Sequence, residues 1–205
     1  MKSILIKFPE ETLSETAVLA LPGATQTDLR IYHAVDHDET YVWWYSPAGI
    51  DANAGINAGG STDTRASSDS NTDLDAMQAA LRELHPRALV VGLALTTDVA
   101  GHSIGLAAPW FYMVETDIKP GAETDFDRWY ETEHLPGLAA VPGTVRARRY
   151  LAENSSPRYY ACYDLAQREA FGSPAWLAVR ATSWSDRVRP NFINTKRTMF
   201  RLVQD

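Results

Sequence analysis

Two hydrophobic periods take turns along this chain. Apolar, β-branched and aromatic residues alternate with polar ones over residues 2–8 (KSILIKF), 28–35 (DLRIYHAV), 40–46 (TYVWWYS), 110–118, 144–152, 158–165 and 196–203 (KRTMFRLV). Residues 88–97 (ALVVGLALTT) form a short, nearly continuous apolar run. Each of these predicts a β-strand. Helical spacing fills the gaps. Residues 10–21 predict a short helix stopped by Pro22 and Gly23. Residues 73–85 (DLDAMQAALRELH) carry a stripe of Leu74, Met77, Leu81 and Leu84, with Asp73 placed to cap the helix and Pro86 to end it. A third helix is expected over 122–135, interrupted by Pro136 with a further turn to Ala140, and a fourth over 167–181, kinked at Pro174. Asp36-His37-Asp38-Glu39 reads as a hairpin turn, and the passage bearing Trp184, Arg187, Arg189 and Asn191 as an irregular connector able to close one end of a pocket.

In order, these elements spell β-α-β-β-α-β twice. Leu21-Pro22-Gly23 precedes the second strand of the first copy and Val141-Pro142-Gly143 that of the second; an aromatic third strand follows in both, with Trp43-Trp44-Tyr45 and Tyr159-Tyr160. The pattern is a duplicated ferredoxin-like unit, an α+β fold, divided at residues 1–108 and 109–205. Helices cover one face of each sheet. The other apolar face needs a cover, and the two sheets most simply cover each other as an α+β barrel within one chain. Residues 47–72 are rich in Gly, Ser, Asn, Asp, Ala and Thr and cannot order themselves by burial. They predict a flexible surface loop, either a plain insertion or a lid.

The helix over 122–135 holds the arrangement that most resembles chemistry. Its one-face positions are Phe126, Trp129, Tyr130, Glu133 and His134, so a carboxylate and an imidazole continue an aromatic stripe. Burying polar groups without partners costs about 1–3 kcal/mol each, so such a stripe calls for local partners or a functional reason. An imidazole with a pKa near 6.5 can give or take a proton near neutrality, which makes His134 the candidate general acid/base. Its alternative role is to bond the backbone that Pro136 leaves open. Glu133 either orients the imidazole, acts as a base, or is a solvated carboxylate. Trp129 and Tyr130 serve as core or as walls of an apolar pocket, and Tyr112, Tyr160 and Tyr163 are further walls and phenolic donors. Arg146 and Arg148 share one face of their strand and Arg149 takes the other; a guanidinium such as Arg148 facing the barrel can hold a carboxylate or phenolate.

The run Asp125-Phe126-Asp127-Arg128-Trp129-Tyr130-Glu131-Thr132-Glu133-His134-Leu135-Pro136, followed by Val141-Pro142-Gly143, Arg148-Arg149-Tyr150, Phe171, Ser173-Pro174 and Trp184, is similar to the EthD-like and related dimeric α+β barrel proteins. The likeness covers about 110–203; the first half follows only in outline and lacks the Trp-Tyr-x-x-x-His helix. It implies at most one site per chain and a pocket beside the second-half helix; further association, with a homodimer as one form, is also expected. It also implies a choice among cofactor-free oxygenases, isomerases, lyases, cyclases and haem proteins.

Composition narrows this choice. The formal charge is -7 and the pI near 5.2, against nucleic acid or an anionic membrane as partner. The charge is uneven: residues 1–109 hold 6 Lys/Arg against 14 Asp/Glu, net -8, and 110–205 hold 13 against 12, net +1, so C-terminal arginines can still form a local anion site. Cys162 is the single cysteine, which suits a reducing cytoplasm and excludes an internal disulfide. No signal peptide or 18-residue apolar run is present. No metal-ligand spacing, phosphate loop or nucleophile elbow occurs, and His33, His37, His85 and His102 form no ligand set. The expectation is a cofactor-independent lyase, such as one losing a fragment by retro-aldol cleavage, or an isomerase. It would act on a small aromatic metabolite, with His134 and Glu133 catalytic and Trp129, Tyr130, Tyr112, Tyr163, Arg148 and Trp184 binding substrate. The alternatives are a cofactor-free monooxygenase and a non-catalytic protein that binds haem or an aromatic ligand.

Overall fold

A computed structural model describes residues 2–21, 29–44, 66–152 and 155–203. Its strands are β1 (Lys2–Pro9), β2 (Leu29–Ala34), β3 (Glu39–Trp44), β4 (Leu89–Ala100), β5 (Trp110–Ile118), β6 (Thr144–Ala152), β7 (Tyr159–Leu165) and β8 (Phe192–Leu202). All pair antiparallel in one closed barrel, in the order β1-β3-β2-β8-β5-β7-β6-β4. Taken by halves, this is β4-β1-β3-β2 joined to β8-β5-β7-β6, the ferredoxin-like order written twice. The seams are β2 with β8 and β4 with β6. Closure removes every sheet edge, each of which would otherwise present unpaired backbone groups.

Period two divides the side chains between two surfaces. Leu5, Tyr41, Trp43, Phe111, Met113, Tyr150, Tyr160, Cys162 and Phe200 point into the barrel and fill it. Burial pushes the Cys162 thiol pKa up, so the thiol stays protonated. A polar cluster lies among these rings. Glu115 accepts hydrogen bonds from Lys7 and the Tyr41 hydroxyl, Lys7 also donates to Tyr160 at 3.1 Å, and Lys196 bonds Glu39 and Tyr41. The charges are paired and hydrogen-bonded, the condition under which ions are tolerated inside a fold.

The outer faces carry the helices. In the first half, α1 (Glu15–Leu19), capped by Ser14, and α2 (Ala66–Leu84) cover Ile6, Phe8, Ile31 and Val42. Helix α2 begins seven residues before the expected start, so 66–72 are helical rather than loop and Asp73 lies inside the helix rather than at its cap. The remaining part of the expected loop, up to residue 65, lies outside the described residues. Leu81 is buried as expected, but Leu84 is 68% exposed, because the helix ends there. In the second half, α3 (Glu123–Trp129), α4 (Leu135–Ala139), α5 (Pro174–Arg180) and α6 (Ser183–Val188) cover the sheet. Pro174 does not kink a helix; it is the first residue of α5, where its missing amide costs nothing, and Ser173 caps it. The connector expected to be irregular contains α6. Gly143, at φ +92°, turns the chain into β6 where an added Cβ would sit 2.7 Å from that of Ala170. Among the described residues, no helix is long and apolar enough to cross a membrane.

Candidate active site

Pro136 shapes the site. It has no amide to donate, yet the helix does not break. The chain widens into a π turn over Tyr130–His134, closed by the Leu135 amide on the Tyr130 carbonyl, and continues as α4. In a regular α-helix, residues five apart point about 140° away from each other. The π turn instead brings His134 onto Trp129, stacked with ring centroids 4.0 Å apart, and edge-on to Tyr130 at 5.3 Å. Gly137 lets α4 lie close to α5, since an added Cβ would meet Val179 at 2.8 Å.

His134 is 7% exposed. Burial, with Arg180 and Arg189 nearby, pushes its pKa down to about 3, so the ring is neutral at ordinary pH. Its Nδ1 is buried without a hydrogen-bond partner, and so are the Tyr163 hydroxyl and the Trp176 indole N–H. The three residues that carry these atoms line one recess, walled also by Tyr112, Trp129, Tyr130 and Phe192. The cavity is about 30 Å³ and sits in a concavity of about 380 Å³ counting its open mouth. That innermost space suits one water or one polar atom of a ligand. Arg180, ending α5, Arg189, following α6, and Arg197, on β8, also line it. Arg180 is half-buried and the other two are exposed, which sets them at the mouth.

Of the residues singled out in the sequence, Trp129, Tyr130, Tyr112 and Tyr163 therefore meet His134 in one place. Three do not. The Glu133 carboxylate accepts from Trp129 Nε1 at 3.2 Å and from the Thr182 hydroxyl at 2.6 Å; it fixes the far edge of the indole and does not line the recess. Arg148 lies on the barrel side of the sheet, paired with Asp164 at 2.5 Å. Trp184 donates to Asp125 at 3.0 Å between Arg128 and Arg187, outside the recess. Trp176, Arg180 and Arg197 went unremarked in the sequence. A signal for the two arginines was present: residues 170–204 hold six Lys/Arg against one acid, Asp186, net +5.

A second cavity, about 150 Å³, lies over Thr96, Asp127, Arg149 and Tyr159. Two arginines line it: Arg149 bonds Asp127 at 2.5 Å and covers the rings of Phe126, Tyr130 and Tyr159, and Arg158 lies over the Tyr159 ring. Among the described residues, no three His, Cys, Asp or Glu side chains gather as metal ligands would.

No family model matches the chain, and no curated protein sequence does. Solved structures do match. An anthrone oxidase-like protein superposes with a TM-score of 0.60 at 12% identity, over 99% of this chain and 91% of its own. An uncharacterized ferredoxin-fold protein related to antibiotic biosynthesis monooxygenases, from Listeria monocytogenes, gives 0.57 at 9%, over 100% and 96%. A heme-degrading enzyme from the same species gives 0.53 at 9%, over 98% and 99%. At these identities the likeness is one of fold: two ferredoxin-like units closed into a single α+β barrel.

Proposed function

We propose that this protein is a cofactor-independent enzyme that removes a proton from a carbon or oxygen beside an aromatic ring, with His134 as the base. The second half would then be EthD-like in use as well as in the residues of its helix. The observation that carries the reading is the meeting of three unpartnered buried polar atoms, on His134, Tyr163 and Trp176, in one aromatic recess. Buried polar groups are nearly always satisfied, so a set left open together is a set awaiting a guest. A carbonyl or hydroxyl oxygen fits the innermost space, with Tyr163 and Trp176 as donors to it and Tyr112 and Trp129 against the ring.

A neutral imidazole of such low basicity takes a proton when negative charge develops beside it. The C–H bond breaks, the proton goes to His134, and the electron pair moves onto the substrate oxygen. The resulting enolate is held by the phenol, the indole N–H and the positive field of the arginines, in a site where such donors need no reorganisation. Reprotonation at another atom gives an isomerase, and loss of a fragment gives a lyase. Attack on dioxygen gives a monooxygenase, the outcome that the likeness to an anthrone oxidase-like protein favours.

Proton removal is common to all three outcomes, so it is the step to test. Aryl ketones such as anthrone are incubated with the protein in D₂O and deuterium uptake at the acidic carbon is followed. Catalysed exchange that is lost in His134→Gln, with the circular dichroism spectrum unchanged, supports the reading; exchange that survives the substitution refutes it.

A further inference from the structure

We propose that the molecule bound here carries a fixed negative charge, a carboxylate on its aromatic ring, gripped at the mouth of the recess by Arg180, Arg189 and Arg197. The proposal rests on the recess being the substrate site; the charge requirement is additional to it. Three elements, α5, the turn after α6 and β8, each deliver one guanidinium to the same opening. None of the three has a carboxylate within ion-pair distance among the described residues, although the chain holds 26 acids to 19 bases. Their neighbours do pair: Arg146 with Asp98, Arg148 with Asp164, Arg149 with Asp127, Arg187 with Asp125 and Lys196 with Glu39. Crowding like charges is unfavourable, and Arg189 shows it: burial, Arg180 and Arg197 hold its pKa below the ordinary value, and the nearby Asp186 carboxylate offsets them only in part. The unfavourable arrangement is relieved by an anion.

The geometry also selects the anion. The planar guanidinium fork matches a carboxylate edge for edge. The innermost cavity admits only about one polar atom, so the charge stays outside with the arginines while an uncharged oxygen reaches His134, Tyr163 and Trp176. An arene with a hydroxyl or carbonyl at one end and a carboxylate at the other spans the two. 4-Hydroxybenzoate is the simplest probe of that shape, and 4-hydroxybenzamide is its neutral counterpart.

The test is calorimetric titration of the full-length protein with both probes, at low and high salt, and again with Arg189→Gln, Arg197→Gln, Arg180→Gln and His134→Gln. The acid is expected to bind at least about tenfold more tightly than the amide, as charge-assisted bonds are about twice as strong as neutral ones. Each arginine variant is expected to lose roughly three- to tenfold of the acid's affinity and none of the amide's, with the acid's advantage shrinking as salt rises. Arg189 and Arg197 are exposed, so their variants carry the test even if Arg180→Gln fails to fold. Equal binding of acid and amide, no binding of either, or unchanged affinity in the arginine variants overturns the proposal. The two readings fail differently. Arginine-dependent binding without deuterium exchange removes the chemistry and leaves the anion site. Exchange on neutral ketones with no arginine dependence removes the anion site and leaves the chemistry.

Discussion

The two halves of the barrel share a strand order and differ in what they seal beneath their helices. Under α1 and α2 the first half buries Ile6, Phe8, Val18, Leu21, Ile31, Val42, Leu81 and Ala88, and the buried Thr40 on the same strand face has its hydrogen bonds made, accepting from the Leu13 amide and donating to the Glu11 carbonyl. Under α3 to α6 the second half buries Tyr112, Trp129, Tyr130, Tyr163, Trp176 and His134, several with polar atoms left open. The barrel interior is a third case, polar at one end but with its ions bonded to one another. The hydroxyls of Ser3, Thr144 and Thr198 and the Trp44 indole N–H also lack partners, but these residues line neither cavity described above, so the contrast lies in the gathering of such groups and not in their presence. Duplication explains how the contrast is tolerated. One copy can be packed for stability, which leaves the other free to hold groups that weaken the fold by about 1–3 kcal/mol each until a guest arrives.

The contrast predicts opposite behaviour on the two sides. The largest effect is expected at His134→Gln, which should lower substrate deuterium exchange by roughly 100- to 10,000-fold, the usual range for a general base; a loss below about tenfold contradicts the assignment. Phe8→Ala, in the first half, should cost about 3–5 kcal/mol in urea unfolding while the exchange rate per folded molecule is unchanged. If exchange falls with it, the halves are not separable in this way.

Acid should act through the second half. The unfolded chain protonates His134 near its ordinary pKa of 6.5, whereas the folded protein holds the ring neutral down to about 3. Between these values the unfolded state binds the extra proton, so stability rises with pH by up to about 1.4 kcal/mol per unit. This contribution is fully present above 6.5 and is lost as pH falls toward 3. Unfolding free energies from pH 4 to 7 should therefore slope less steeply in His134→Phe than in the parent protein. Identical slopes would contradict a buried neutral ring.

The smallest and sharpest comparison is between two tyrosines on one strand. Tyr163→Phe removes a hydroxyl without a partner and should leave the free protein as stable or about 1 kcal/mol more so, while weakening 4-hydroxybenzoate. Tyr160→Phe removes the hydroxyl bonded by Lys7 and should cost about 1 kcal/mol without touching the ligand. Equal effects would mean that the recess is ordinary core.

The barrel was legible because period two runs through the strands other than β4, which reads as an apolar run, and because the unit repeats; β5 and β6 match their expected spans residue for residue. The site was legible in part. Trp129, Tyr130 and His134 stand out by spacing, but the π turn that stacks His134 on Trp129 is a tertiary accommodation of Pro136, and i, i+4 counting finds the Tyr130 neighbour of His134 and misses the closer one, Trp129. Glu133 shares the helix face on paper and is drawn off by Thr182, a residue 49 positions away. Arg146 and Arg148 were expected on one face of their strand without the face being decided; the fold turns Arg148 to the barrel side, where it meets Asp164. Trp176 and Arg180 come from α5 and Arg197 from β8, segments that only the closed fold gathers, although the excess of bases over 170–204 marks the region.

The most direct measurement is a crystal structure of the protein soaked in 4-hydroxybenzoate at a resolution that distinguishes water from an arene. The account predicts ring density against Trp129 and Tyr112, the phenolic oxygen within hydrogen-bond distance of His134 Nδ1, Tyr163 and Trp176, and the carboxylate among the three arginines. A single ordered water satisfying those three atoms at saturating ligand, with the arginine mouth empty, would contradict it.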